Sequence, residues 1–407
     1  MRNKKFKYFF AHMLTFIVGI IMTFYLPQVL GVEEYSKYAI LSVCVNFFIP
    51  ICSLGLVSYI IRFYKTEDKI FDLGLNSKII YCIGLVLTLV IVCIYSLIFD
   101  LSFNDFLSIY FAVSLLALVS ISAGYYRAKD DANAYFNLVA SQKILHFIIF
   151  VIISEFFYTS AILYFLSSII SCFLILLITR FRCFPVVGEL EVSIKTVKYG
   201  LSFCIPIAIA NISITFIPVI ERNLILSIFD SDVLSQFVFN YELITKFTSI
   251  SLLVIKVIIW PHIACGNKNI EISRYEQTLK NSLIILTVII LIGSVFIKLI
   301  YQWLIENVFN MSTYSNEYLM ILLFISSCII IMNYIVNLGS MIMNKTSIIS
   351  SKTAIVIVFH TLGIMVLSQY IYIYGVVISM IFAQIISLSY SIIKNKKEIK
   401  LSFNYEC

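Results

Sequence analysis

Long apolar runs alternate with short polar gaps along the whole of this sequence. A helix that crosses a bilayer needs about 20 predominantly apolar residues. Runs near 8–27, 38–61, 79–99, 106–125, 136–153, 160–179, 202–228, 236–262, 281–304, 318–338, 353–370 and 374–393 are of that kind. The pattern predicts an all-α polytopic membrane protein with about twelve transmembrane helices.

The gaps between runs differ in charge, and the difference alternates. Of the 29 Lys and Arg residues, 24 mark every second gap or the ends, 23 lying in them and Lys143 within the run that follows one. They are Arg2, Lys4, Lys5 and Lys7; Arg62, Lys65, Lys69 and Lys78; Arg127, Lys129 and Lys143; Arg180, Arg182, Lys195 and Lys198; Lys268, Arg274 and Lys280; Lys345 and Lys352; and Lys394, Lys396, Lys397 and Lys400. The intervening gaps hold Lys37 and otherwise carry acidic residues such as Asp105, Glu155, Asp230, Asp232, Glu306 and Glu317. Loops rich in Lys and Arg stay on the cytoplasmic side, so both termini are expected there. The first run is followed by Pro27-Gln28 and by Glu33 and Glu34, not by a small-residue cleavage site. It reads as a span and not as a cleavable signal.

The longest gap, near 180–201, divides the runs into six and six. The expected organisation is an N-terminal six-helix lobe (1–180), a cytoplasmic linker (181–201), a C-terminal six-helix lobe (202–394) and a cytoplasmic tail (395–407). A faint internal repeat agrees with this. VLGVEEYSKYAI follows the first run and IFDSDVLSQFVF ends the seventh and leads into the eighth; each has an acidic residue (Glu33, Asp232) five positions before an aromatic one (Tyr38, Phe237). Six spans per half would make the halves parallel repeats about an axis normal to the membrane.

Composition narrows the class. The chain is 61% hydrophobic and 13% charged over 407 residues, more apolar surface than a soluble domain can hide. The net charge of +7 sits beside the spans, where it meets anionic headgroups, and no basic stretch interleaved with aromatics suggests nucleic acid. Seven of the ten cysteines are scattered through apolar runs and no C-x-x-C spacing occurs, which argues for packing residues and against a metal site. There is no phosphate-binding G-x-x-x-x-G-K-[ST] loop and no constellation of paired carboxylates or Ser/His/Asp type. Neither enzyme chemistry nor a cofactor is expected. A membrane-embedded glycan polymerase or ligase would call for a large outward loop, which these gaps do not offer.

Charges at membrane depth are costly and usually face a cavity or a partner. The eighth run carries Glu242, Lys246 and Lys256 within an arc of about 80° of one helix face, with Ser249 between them. Lys246 lies near the expected midplane, about 15 Å from either surface, too far for easy snorkelling. Glu242, four residues earlier, is placed to pair with it. In the seventh run Asn211, Thr215, Pro218 and Arg222 share a stripe about 60° wide, and Glu221 neighbours Arg222. The first run lines up His12, Thr15 and Thr23, and the second holds Asn46. Arg222, Lys246 and Lys256 are candidates for binding an anionic substrate. Glu242 and Glu221 are candidates for coupling to an ion. His12, Thr15, Thr23, Asn46, Asn211, Thr215 and Ser249 are candidates for a polar lining. His360, alone in the eleventh run, is expected to make a helix–helix hydrogen bond.

Four stretches carry a resemblance to a known family. They are LPQVLGVEEYSKYAILSVCVNFFIPICSLGLVSYIIRF, KYGLSFCIPIAIANISITFIPVIERNLI, FNYELITKFTSISLLVIKVIIWPHIA (ending at Pro261 and the three residues after it) and YIYGVVISMIFAQIISL. In order and spacing the chain resembles the polysaccharide flippases of the multidrug/oligosaccharidyl-lipid/polysaccharide (MOP) superfamily, the O-antigen and capsule-repeat exporters of bacteria. The resemblance implies a MATE-like pair of lobes around a central cavity, open alternately to each side of the bacterial inner membrane. It implies an undecaprenyl-diphosphate-linked oligosaccharide as cargo, membrane lipids as surroundings and other polysaccharide-assembly proteins as partners. A diphosphate entering a low-dielectric space needs Lys or Arg counter-charge, which suits Arg222 and Lys246. Drug-exporting relatives often carry an acidic residue in the first span; this one has none. Relatives that flip the peptidoglycan precursor usually have fourteen spans.

Overall fold

The computed structural model describes residues 2–64, 73–99, 101–157, 159–179, 183–184, 194–255, 268–342 and 346–404. Lys256, Pro261 and most of the 181–201 linker lie outside them. The described residues form twelve α-helices and no strand. In lipid a backbone must satisfy its own hydrogen bonds, and a helix does so within one segment.

α1 runs Arg2–Ser53 and holds the first expected span and most of the second. At about 1.5 Å per residue it is long enough for two crossings. It is divided at Gly31, whose φ of 71° and ψ of 176° are not helical. An added Cβ there would meet nothing within 4 Å, so glycine is required by the dihedral and not by crowding. The second expected span breaks again at Leu54 and Gly55, both at positive φ, before α2 (Leu56–Phe63) resumes.

α3 (Leu73–Ile98), α4 (Phe103–Ala128), α5 (Ala132–Phe156), α6 (Ala161–Ile178) and α7 (Ile194–Ile228) follow. Starts are capped by side chains: Ser102 accepts from the Asp105 amide of α4, and Asp131 from the Ala134 amide of α5. Lys37, the lysine that breaks the charge alternation of the gaps, finds a partner here, because its Nζ lies 3.1 Å from buried Asp105. Glu34 is spent on a helix end as well, its Oε2 accepting from the Ala161 amide of α6 at 2.7 Å.

α8 (Ser231–Val254), α9 (Lys268–Phe296), α10 (Glu317–Ile342), α11 (Thr346–Ile371) and α12 (Tyr374–Asn404) complete the chain. Two π-helical segments, Ile297–Tyr301 and Leu304–Val308, extend α9. Ten of the described helices are long and apolar enough to cross a membrane. α8 stands outside that group among the described residues and carries Gln236, Asn240, Glu242 and Lys246 along its length. Counting the kinked α1 as two crossings brings eleven of the expected spans into that group, and α8 covers 236–254 of the remaining one, 236–262.

By packing, the chain forms two units, Met1–Val219 and Ile220–Cys407, and the boundary falls inside α7. In the first unit α1 packs against α3, α4 and α5, while α6 packs on α4 and α5. In the second, α12 packs along α10 and α11, and α10 also touches α8 and α9. Much of the exterior is large and apolar, for example Leu97, Ile98, Phe103 and Phe156 in the first unit and Leu291, Ile292 and Trp303 in the second. A bilayer covers such a surface; water does not. The protein is a multi-pass membrane protein.

Polar side chains join the helices of the second unit. Asn240 of α8 donates to the carbonyls of Gln236 (2.7 Å) and Tyr314 (3.0 Å) and accepts from the Tyr301 hydroxyl. Asn333 of α10 donates to Gln384 of α12, and Ser340 donates to Asn395 at 2.8 Å. Lys352 of α11 is buried and reaches the Asn333 carbonyl at 3.4 Å. Hydrogen bonds of this kind hold helices together where water cannot compete.

Candidate functional site

Three buried ionisable residues of the second unit, Glu221, Arg222 and His360, lie on α7 and α11, and His360 also touches α12. α7 carries Pro206 and Pro218, so the carbonyls of Ser202 and Ile214 lose their helical donors. Three and four residues after Pro218 come Glu221, 2% exposed, and Arg222, 4% exposed. Arg222 therefore does not snorkel to a surface; it is held inside the protein.

His360 of α11, 2% exposed, meets Glu221: its Nε2 lies 3.2 Å from Glu221 Oε1. Its other ring nitrogen, Nδ1, lies 2.9 Å from Ser379 Oγ of α12. Ser379 in turn donates to the Val376 carbonyl of its own helix at 2.7 Å. The packing that allows this is close. An added Cβ on Gly363, three residues after His360, would fall 2.5 Å from Ser379 Cβ. From α8, Tyr241 is near enough to interact electrostatically with both Glu221 and Arg222. A carboxylate, an imidazole, a guanidinium and a phenol thus share one interior region. Such a set can carry or compensate charge.

The remaining candidates are placed as follows. Lys246 and Glu242 lie on α8 and are partly buried, with Ser249 exposed two turns beyond Glu242 and donating to the Thr245 carbonyl at 2.7 Å. Asn211 is exposed on α7, and Thr215 donates to its carbonyl. In the first unit His12 is exposed and contacts the Tyr135 hydroxyl at 3.3 Å. Thr15 donates to the Ala11 carbonyl, and Asn46 is exposed on the second half of α1. Thr23 is fully buried and donates to the Gly19 carbonyl at 2.9 Å, so its hydroxyl is used within its own helix. Lys256 lies outside the described residues. No group of three or more His, Cys, Asp or Glu suited to a metal ion occurs among the described residues.

Glu221 and Arg222 were legible from sequence as buried charges. Their junction with His360 and Ser379 was not. His360 and Glu221 are 139 positions apart, and a lone histidine gives no sign of its partner. Its expected helix–helix hydrogen bond is present to Ser379, and the ionisable contact to Glu221 is additional.

Long apolar spans with ionisable groups sealed between helices define the class: a polytopic all-α membrane protein. The profile of the polysaccharide biosynthesis protein family matches residues 3–263. The chain belongs to that family. A comparison with curated proteins finds no match. Among solved structures, the chain is similar to the lipid II flippase MurJ in an inward closed conformation, with a TM-score of 0.67 and 14% identity over 99% of this chain and 90% of that one. It is also similar to the MATE multidrug transporter DinF-BH, with a TM-score of 0.60 and 10% identity over 97% of this chain and 94% of the other. A mutant of the Vibrio cholerae MATE transporter VcmN gives a TM-score of 0.55 and 13% identity over 98% and 96%. At these identities the likeness speaks for the fold.

Proposed function

We propose that this protein is a flippase for lipid-linked oligosaccharide, moving undecaprenyl-diphosphate-linked repeat units from the inner to the outer leaflet of the bacterial plasma membrane by alternating access. The observation that carries the reading is membership of the polysaccharide biosynthesis family. The fold it shares with a lipid II flippase supports it. In this reading the two six-helix lobes, 1–180 and 202–394, are the moving halves, and both termini face the cytoplasm as the Lys/Arg bias requires. Arg222 and Lys246 supply counter-charge to the diphosphate or to an acidic sugar, with Lys256 at the inner end. Asn211, Thr215, Ser249, His12, Thr15, Thr23 and Asn46 offer hydrogen bonds to sugar hydroxyls. O-antigen and capsule repeat units are the cargoes of this chemistry, and polysaccharide-assembly proteins are the partners that supply and consume them.

The test is substitution of Lys246 in the native host. Lys246→Glu reverses the charge offered to the phosphate and is expected to abolish surface polysaccharide at unchanged protein level, while Lys246→Arg retains it. Normal glycan display with Lys246→Glu sinks the cationic role. The second reading, a cation-coupled multidrug antiporter, draws on the fold shared with MATE transporters. Resistance to cationic dyes on overexpression, independent of glycan genes, would favour it.

A further inference from the structure

The contact between α7, α11 and α12 has a proton count that can be worked out. Ser379 has one hydroxyl hydrogen, and the Val376 carbonyl 2.7 Å away is an acceptor that can take it; the proton count follows from that placement. Its oxygen is then an acceptor toward His360, so Nδ1 at 2.9 Å carries a hydrogen and donates it. That leaves Nε2 facing Glu221 Oε1 at 3.2 Å. A bare imidazole nitrogen and a carboxylate oxygen are both acceptors and repel at this distance. One proton between them, on either atom, makes the contact a hydrogen bond.

We propose that Glu221 and His360 form a binding site for one exchangeable proton, and that this proton latches α7 to α11. With the proton present, the pair is either carboxylate and imidazolium or carboxylic acid and neutral imidazole, and in both forms the two helices are bonded. When the proton leaves, a carboxylate remains next to Arg222 in the chain and the α7–α11 bond is lost. The groups around the pair are Arg222 on α7, Tyr241 on α8 and Ser379 on α12. Ser379 orients the ring and fixes which nitrogen titrates, and the absence of a side chain on Gly363 lets α12 come close enough to do so. The ligand is a hydrogen ion, taken up or released as α7 and α11 join or part. Use of this event to drive transport rests on the flippase reading; the proton site itself does not.

The experiment accordingly uses the full chain reconstituted in liposomes with no glycan lipid. Infrared difference spectra are recorded between about pH 5 and 8, the window in which histidine ordinarily titrates. A pH-indicator dye counts protons in parallel. A coupled change in one carboxyl band and one imidazole band is expected, with the carboxyl change lost in Glu221→Gln. His360→Gln, folded by its thermal melt, is expected to take up one proton fewer per chain over this interval. A wild-type protein without the paired change overturns the site, as does a folded His360→Gln with wild-type proton uptake. Should neither variant fold, nitrogen-15 spectra of the four histidines in the wild type decide the matter. One ring that keeps its Nδ1 hydrogen while Nε2 alone titrates supports the latch; four rings without that asymmetry exclude it.

Discussion

A single glycine decides whether the buried pair is properly held. Gly363 lies on the face of α11 that meets Ser379, where a methyl group would sit 2.5 Å from Ser379 Cβ. Both partners are backbone-proximal atoms and cannot swing aside, so the helices must part. Gly363→Ala is expected to cost about 1–3 kcal/mol, as overpacking of a close-packed interior does, seen as a lower melting temperature in detergent. Because Ser379 orients His360, the variant should also blunt the infrared change of the pair. An unaltered melt would show that the helices are farther apart than described. Other residues were readable singly but not in combination. Lys37 breaks the charge alternation of the gaps, and its reason emerges only when Asp105 is found buried 3.1 Å away. Glu34 reads as an outward acidic residue, yet it caps α6.

At the scale of elements, hydropathy located the helices well and their interruptions less well. The apolar runs are long, and each demands a helix for its backbone in lipid. The break at Leu54 and Gly55 lies inside a run that reads as one span. Its cause is tertiary: a Cβ at Gly55 would approach the Cys204 carbonyl of α7 to 2.7 Å, and its φ is +75°. Gly55→Ala therefore meets a left-handed backbone and a crowded neighbour together. The backbone term alone is about 1–2 kcal/mol, and the clash adds to it. Loss of folded protein on size-exclusion chromatography is the expected outcome; a variant as stable as the parent would contradict the α2–α7 approach. α8 shows the opposite case. Its polar residues weaken its membrane signature, and they are placed there by function or by packing: Asn240 ties it to Tyr301 and Tyr314.

For the whole molecule, the orientation proposed in the membrane is the one the Lys/Arg bias predicts. Phosphatase fusions placed after Lys129 and Lys198 are expected to be inactive, and fusions placed after Asp232 and Glu306 active, because the enzyme folds only outside the cytoplasm. The reverse pattern would overturn the cytoplasmic placement of the termini. The class and the helical spans were determined by the sequence itself, since apolar length sets a crossing, and the sidedness expected from flanking Lys and Arg is likewise a matter of local composition. Which buried charges meet was decided only by the tertiary structure. Glu221 and His360 lie on different helices, 139 positions apart, and their contact depends on how α7, α11 and α12 pack. No periodicity within one helix encodes the face that another helix will present to it.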